Sequence, residues 1–171
     1  MASKNIVQGE RPLAASAAEP AQNVDHLLRV STRVPRPREH VFAFFADARN
    51  LGAVTPPALH FRIDTPLPIE MRVGTLIDYT IGLYGIPLRW RTEITRWEPP
   101  FSFEDTQLRG PSATWVHRHL FRDDDGATII DDEVRYALPL GILGRLAHPL
   151  VRWQLRRIFR YRQEAVARLL T

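Results

Sequence analysis

The sequence predicts an α+β protein in which an antiparallel meander of strands precedes one long C-terminal helix. Between residues 59 and 138, apolar and polar residues alternate in short runs that are separated by turn signals. Beyond Gly144, the apolar residues recur with the period of an amphipathic helix. The 171 residues, 44% of them hydrophobic, are enough for one domain with a sizeable core.

The first 25 residues differ from the rest of the chain. They include an Ala-rich piece, Leu13 to Ala18, but not the long apolar run of a secretory signal. No stretch of the chain approaches the roughly eighteen uninterrupted apolar residues that a membrane-spanning helix requires. We therefore expect a disordered tail over residues 1–25, a single domain over residues 26–171 and a cytoplasmic location.

The domain is expected to begin with a half-buried strand, in which polar residues separate Leu28, Val30, Thr32 and Val34. Pro35 and Pro37 end this strand, and Pro37 is suited to open a helix. The apolar face of that helix consists of Val41, Phe42, Phe44 and Phe45. A second short helical or irregular piece is expected over residues 50–54.

The predicted meander follows, with turn signals at residues 66–68, 85–87, 98–100, 110–111 and 123–126. In one strand, the apolar face carries Leu88, Trp90, Thr92 and Ile94, and the other face carries Arg89, Arg91 and Glu93. One face of the sheet is therefore expected to be buried and the other exposed to solvent. By the same alternation, Trp97 shares the face of the arginines, so we expect it outside the interior or at a hairpin end.

The last segment has an apolar side made of Ala147, Leu150, Val151, Leu155, Ile158, Tyr161, Ala165 and Leu169. Arg145, Arg152, Arg156, Arg160 and Gln163 fall on the opposite side. Pro149 indicates that the regular helix either starts there or is kinked there.

Composition excludes several classes of site. The chain has no cysteine, which rules out disulfides, thiolate catalysis and thiolate metal sites. The net charge is only +4, and Lys4 is the only lysine among the basic residues. This balance does not by itself indicate nucleic-acid binding, and we expect no nucleic-acid partner.

Several motifs of the second half carry a resemblance to a known family: Gly85-Ile86-Pro87-Leu88-Arg89-Trp90, Trp97-Glu98-Pro99-Pro100, Phe103-Glu104-Asp105-Thr106-Gln107, Trp115-Val116-His117-Arg118-His119 and Asp132-Glu133-Val134-Arg135-Tyr136. They are similar to bacterial stand-alone SRPBCC proteins of the START and polyketide-cyclase superfamily. The resemblance spans roughly residues 27–170. It implies a helix-grip (START-like) fold, with a curved antiparallel sheet of about seven strands around a long C-terminal helix and two short helices after the first strand.

The same resemblance implies a cavity between the sheet and the last helix. Its leading functional expectation is the binding or transport of a hydrophobic small molecule or lipid, with no catalysis. The alternative is a small cyclase or dehydratase, and a third class is a protein-interaction domain. A fold alone does not decide among these activities, so whether the protein is an enzyme stays open.

Period-two geometry predicts a polar cluster inside this cavity. Trp115, His117 and His119 fall on one face of a strand, and this aromatic face should point inward. Neighbouring strands should add further polar groups, so that the cluster comprises Asp105, Gln107, His117, His119, Asp132 and Tyr136. The expected ligand-binding set is Tyr79, Trp90, Phe103, Asp105, Gln107, Trp115, His117, His119, Asp132, Tyr136 and Ile158.

The cluster has several interpretations. It is either a satisfied internal network, a set of groups that orient a ligand, or an acid–base site with His117, His119, Asp105 or Asp132 as catalytic candidates. A metal held by the two histidines and a carboxylate is a further alternative. Because the His-x-His pair lacks a third ligand in its own motif and no thiolate is present, we expect no bound transition metal and no cofactor.

The terminal helix carries seven arginines, at positions 145, 152, 156, 157, 160, 162 and 168, against the single acid Glu164. This charge favours peripheral contact with an anionic membrane, which suits a protein that collects a membrane-soluble ligand. The alternative is an ordinary solvated helix face.

Overall fold

The computed structural model describes residues 26–83 and 85–171, so the predicted tail over residues 1–25 lies outside the described part. The elements in order are β1 (His26–Val34), α1 (Arg38–Ala46), β2 (Arg62–Ile63), β3 (Leu76–Leu83), β4 (Ile86–Glu98), β5 (Ser102–Arg109), β6 (Thr114–Asp124), β7 (Ala127–Ala137) and α2 (Ile142–Leu169). Two short 3₁₀ turns, Ala48–Asn50 and Pro57–Leu59, lie between α1 and β2. This order confirms the predicted α+β class and the helix-grip arrangement.

All seven strands form one antiparallel sheet in the order β1-β7-β6-β5-β4-β3-β2. The hairpin between β6 and β7 shows how local sequence sets the register. Asp125 and Gly126 both have positive φ, 48° and 79°, as the two-residue turn that matches strand twist requires. The hairpin places His117 opposite Val134 and His119 opposite Asp132.

The core lies between the concave face of the sheet, α1 and the C-terminal half of α2. Val41 and Phe42 of α1 are buried there, together with Ala165 and Val166 of α2. Helix α1 begins directly after Pro37, whose carbonyl accepts hydrogen bonds from His40 and Val41. The two helices therefore cover the inner face of the sheet near β6 and β7.

Trp97 lies at the end of the β4–β5 hairpin, which is one of the two expected alternatives, but it is not outside the interior. Thr95 is an extra, unpaired residue of β4, because Ile94 pairs with Asp105 while Arg96 pairs with Glu104. A bulge of this kind reverses the alternation of faces beyond it. Trp97 therefore points inward, with its ring centroid 5.3 Å from that of Phe42.

The first half of α2 corrects another expectation. Ala147 and Leu150, predicted to be buried, are exposed, as is Leu169 at the far end. The helix begins at Ile142, well before Pro149, which therefore lies inside it. Near its start, Gly144 leaves no room for a side chain, because an added Cβ would lie 2.2 Å from the Pro139 carbonyl oxygen. No helix in the described part of the chain has both the length and the apolar character needed to cross a membrane.

Candidate functional site

A cavity of about 200 Å³ lies between the sheet, the segment after α1, and α2. Its apolar wall comes from all three parts of the fold. The sheet supplies Ile77, Tyr79, Ile81, Trp90, Ile94 and Trp115, the segment around α1 supplies Phe44, Phe45, Leu51, Leu59 and Phe61, and α2 supplies Leu155, Ile158 and Phe159.

Aromatic rings form a continuous side of the cavity. Tyr79 stacks on Trp90 at 5.8 Å between ring centroids, and Trp115 meets Trp90 edge-on at 5.4 Å. Trp90 Nε1 is buried and lacks a hydrogen-bond partner among the described residues. A buried indole N–H normally has an acceptor, so this donor is available to a group that enters the cavity.

One end of the cavity is polar and is built around Asp132. The carboxylate of Asp132 is buried behind the two histidines, 3.1 Å from His117 Nε2 and 2.6 Å from His119 Nδ1 through the same oxygen Oδ1. The contact with His117 is a hydrogen bond, and His119 Nδ1 makes a close polar contact with the same oxygen. Asp132 therefore orients the ring of His117 and attracts that of His119.

Asp105 faces the opposite nitrogens of the same two rings. Its Oδ2 lies 3.8 Å from His117 Nδ1 and 3.7 Å from His119 Nε2. Strand register explains the arrangement, because Asp105 of β5 pairs directly with His117 of β6. Asp105, His117 and His119 all line the cavity, so their polar atoms are accessible to a ligand.

Arg162 of α2 completes the polar end, and sequence reasoning missed it by grouping it with the solvated arginines. It lines the cavity, its Nε lies 4.0 Å from Asp132 Oδ2, and its guanidinium lies over the Phe45 ring at 5.0 Å. The signal was present in the sequence, because Arg162 falls four residues after Ile158 and three before Ala165, within the apolar stripe.

Burial and charge set the protonation of this cluster. Burial, together with neighbouring His119, lowers the pKa of His117, which favours the neutral ring. Burial opposes ionisation of Asp132, but Arg162, His119 and the hydrogen bond from His117 outweigh it and hold the Asp132 pKa well below its usual range. A charged Asp132 beside a neutral His117 is therefore the expected state at neutral pH.

Eight of the eleven predicted ligand-binding residues lie in the cavity wall: Tyr79, Trp90, Phe103, Asp105, Trp115, His117, His119 and Ile158. The other three lie elsewhere. Asp132 is behind the histidines, and the Gln107 amide donates to the Ser112 carbonyl at 2.7 Å, beside a turn. Tyr136 shares the inner face of the sheet, but its hydroxyl lies 3.2 Å from His148 Nε2 in a separate groove near β1.

The expectation of no metal considered only the His-x-His motif, and the third ligand group comes from outside that motif. The His-x-His pair does gain a third ligand group, because the antiparallel pairing of β5 and β6 brings the Asp105 carboxylate to both rings. Period-two patterning gave the correct face for each residue, but the register between the strands was needed to bring the three together. In chemical terms the cluster can accept a proton, hold a polar ligand group or bind a cation.

No family model and no curated protein matches the sequence. Solved structures do match. Zhui aromatase/cyclase from Streptomyces has a TM-score of 0.67 at 15% identity, covering 83% of this chain and 91% of its own. Ginseng major latex-like protein 151 from Panax ginseng has a TM-score of 0.61 at 10% identity, covering 85% and 97%.

A third similar structure is a nucleoside-diphosphate sugar epimerase from Corynebacterium glutamicum, with a TM-score of 0.60 at 26% identity. The match covers 82% of this chain but only 28% of the epimerase, so the shared unit is one part of a longer protein. At these identities the comparisons establish architecture rather than activity. The chain has the helix-grip fold of the SRPBCC proteins, as the sequence resemblance implied.

Proposed function

We propose that the protein binds a compact hydrophobic molecule that carries a polar group. The observation that carries this proposal is the division of the cavity into a long aromatic and aliphatic wall and one polar end, which is the usual design of small-molecule sites. The volume of about 200 Å³ favours a small ring system over a bulky lipid, since larger ligands occupy pockets of roughly 300–1,000 Å³. The likeness in fold to an aromatase/cyclase supports a small-molecule site in this cavity.

The direct test is native mass spectrometry of the protein purified from its own host, to detect a co-purified molecule. A quantitative test uses the fluorescent apolar anion anilinonaphthalene sulfonate with a matched pair of variants. Ile81→Trp fills the cavity, whereas Leu76→Trp adds the same ring at an exposed site of the same strand. We expect Ile81→Trp alone to weaken binding by about tenfold or more, and equal affinities would overturn the proposal.

We propose further that the first half of α2 contacts a membrane from which the ligand is taken. Five large apolar side chains there are exposed: Ile142 at 73%, with Leu143, Leu146, Leu150 and Trp153 each above 50%. Leu140, two residues before the helix, is 77% exposed. Isolated exposed leucines are common, but a contiguous apolar patch of this kind marks an interaction surface.

The charge around this patch favours an anionic bilayer as the partner. Arg145 and Arg152 are exposed on the same half of α2, and Arg156 and Arg157 are exposed directly after it. The helix has no acidic residue before Glu164. Apolar side chains flanked by arginines suit insertion at the boundary between headgroups and acyl chains. A cytoplasmic location belongs to this proposal, because the cytoplasmic leaflet carries the anionic lipids.

The membrane proposal is tested by flotation with phosphatidylcholine vesicles that contain or lack phosphatidylserine. We expect binding to the anionic vesicles and a loss of about tenfold or more in the double variant Leu143→Glu/Leu146→Glu. Leu108→Glu, at an exposed apolar site on β5, is the control that should bind normally. Absence of binding by the unmodified protein, or an equal loss in the control, would contradict the proposal.

A second candidate function is a cyclase- or dehydratase-type activity, favoured by the two histidine nitrogens and the carboxylate that meet beside the cavity. A general base must reach the proton it removes, and these groups are accessible to a bound molecule. If a substrate is identified, His117→Gln should lower turnover by about 10²–10⁴-fold while binding changes little. Unchanged turnover would contradict a catalytic role for His117 and leave ligand binding as its only proposed role.

A further inference from the structure

We propose that Asp105, His117 and His119 together bind one divalent transition-metal ion at the polar end of the cavity. Each residue offers a ligand atom within 4.8 Å of the other two, and both histidines are buried. The proposal concerns an ion and its protein ligands, so it stands apart from the hydrophobic ligand proposed above.

The distances from Asp105 to the two histidines are too long for direct hydrogen bonds. They are closer to the distances between two ligand atoms bound to the same ion. Asp105 Oδ2 lies 3.8 Å and 3.7 Å from the nearest nitrogens of His117 and His119. A hydrogen bond would place these atoms within about 3.2 Å. Atoms bound at ~2.1 Å to one ion lie ~3.0–3.4 Å apart, so each Asp105 distance must shorten by about half an ångström. The two histidine nitrogens lie within 4.8 Å of each other and must approach by up to about 1.5 Å.

Asp132 supplies the support that metal-binding histidines usually have. It accepts the Nε2 hydrogen bond of His117 and lies 2.6 Å from Nδ1 of His119. Donation of Nε2–H to Asp132 leaves His117 Nδ1 with its lone pair toward Asp105, and the charge of Asp132 favours the matching tautomer of His119, with Nε2 unprotonated. The two lone pairs then converge on the side where Asp105 lies.

Packing fixes the two rings in this orientation. Phe103 stacks on His119 with ring centroids 4.2 Å apart, and Phe159 of α2 meets His117 edge-on at 5.5 Å. Asp105 comes from β5 and the histidines from β6, two adjacent strands of the sheet, so all three ligands sit on rigid backbone. A site on such elements is organised before the ion arrives.

The charge and the donor atoms select the class of ion. With neutral imidazole rings, Asp105 and Asp132 contribute two negative charges and Arg162 one positive charge, which leaves a net attraction for a cation. Two imidazole nitrogens with one carboxylate suit zinc, iron or cobalt, whereas calcium and magnesium prefer oxygen ligands. The remaining coordination positions face the cavity, where an oxygen atom of a bound molecule can occupy them.

The test starts from protein stripped with a chelator and titrated separately with Zn²⁺ and Co²⁺. We expect one ion per chain by calorimetry and, for Co²⁺, visible absorption bands that report nitrogen and oxygen ligands. Calcium in excess should not displace either ion. No stoichiometric binding at micromolar concentrations of both ions would overturn the proposal.

Three variants locate the ion. Asp105→Asn and His117→Gln should each weaken binding by about tenfold or more and alter the Co²⁺ spectrum. His148→Gln is the control, because His148 belongs to a stacked pair with His26 away from the cavity and should not affect affinity. Equal affinity in all three variants would place the ion elsewhere and refute the site.

Folding and ligand binding are separated from metal binding in the same samples. Thermal unfolding identifies a variant that has lost its structure, and Asp105→Asn is the milder change because the Asp105 side chain is 18% exposed within the wall. Anilinonaphthalene sulfonate binding without metal reports the hydrophobic site alone. Failure of one proposal is therefore distinguishable from failure of the other.

Discussion

Asp132 and His117 form a buried hydrogen bond of 3.1 Å between β7 and β6, and the side-chain oxygen that accepts it also lies beside His119. Asp131, the preceding residue of β7, has its side chain on the opposite face, where it contacts Arg122 and Ser31 at the surface. The two neighbouring carboxylates therefore offer a matched pair for measuring what the buried one contributes.

We expect Asp132→Asn to lower the free energy of unfolding by about 1–3 kcal/mol, because it removes the charge that satisfies buried polar groups. Asp131→Asn should cost at most about 1 kcal/mol, as is usual for exposed ion pairs. Urea denaturation of both variants checks this difference. Equal losses would mean that the cluster around Asp132 is not an organised network.

The two histidines should respond differently to substitution by glutamine. The ring of His119 is packed against Phe103 and Phe45, so His119→Gln should lose about 1–3 kcal/mol of stability. His117→Gln should lose mainly affinity for a probe with a polar group, such as anilinonaphthalene sulfonate, by the equivalent of one hydrogen bond, about 0.5–1.5 kcal/mol. Melting temperature and probe affinity, measured on both variants, test this. Unchanged values at both positions would contradict the site as described.

His148 provides a prediction about pH. Burial, His26 and Arg152 lower the pKa of His148 below its ordinary value. Its neutral form therefore stabilises the fold, with the full contribution present above about pH 6.5 and lost as the pH falls below that value. Nuclear magnetic resonance titration should show the His148 pKa rising in His26→Gln. A pKa that falls or stays constant would refute the repulsion between the two rings.

Trp97 and Trp153 test the bulge at Thr95. Trp97 is half-buried against Phe42 and Phe103, so Trp97→Ala should cost about 2–4 kcal/mol. Trp153 is 51% exposed, and Trp153→Ala should change stability by less than about 1 kcal/mol. Thermal or urea unfolding gives both values. Similar costs for the two would mean that Trp97 does not face the core.

The strand and helix order was predictable because alternation, turn residues and the change of period are local signals. The reversal of faces at Thr95 was not, because a bulge depends on pairing with β5 rather than on the residues of β4 alone. The inward face of β6 was likewise predictable, whereas the approach of Asp105 to both histidines required the register of two strands. Arg162 was missed because it was grouped with the other arginines of α2 by its charge, although its position in the sequence falls within the apolar stripe.

Exposure of Leu150 shows a further limit of periodicity, which identifies a helix face but not whether the sheet extends far enough to cover it. Helix α2 also connects its exposed apolar end to the cavity wall. Helix α2 has 28 residues, a rod of about 42 Å, with the exposed apolar end at one side and Leu155, Ile158 and Arg162 in the cavity wall further along. Pro149, between them, cannot donate its backbone hydrogen bond and is the natural point for a bend. A bend at Pro149 would let the exposed end of the helix change direction while Leu155, Ile158 and Arg162 keep their places in the cavity wall.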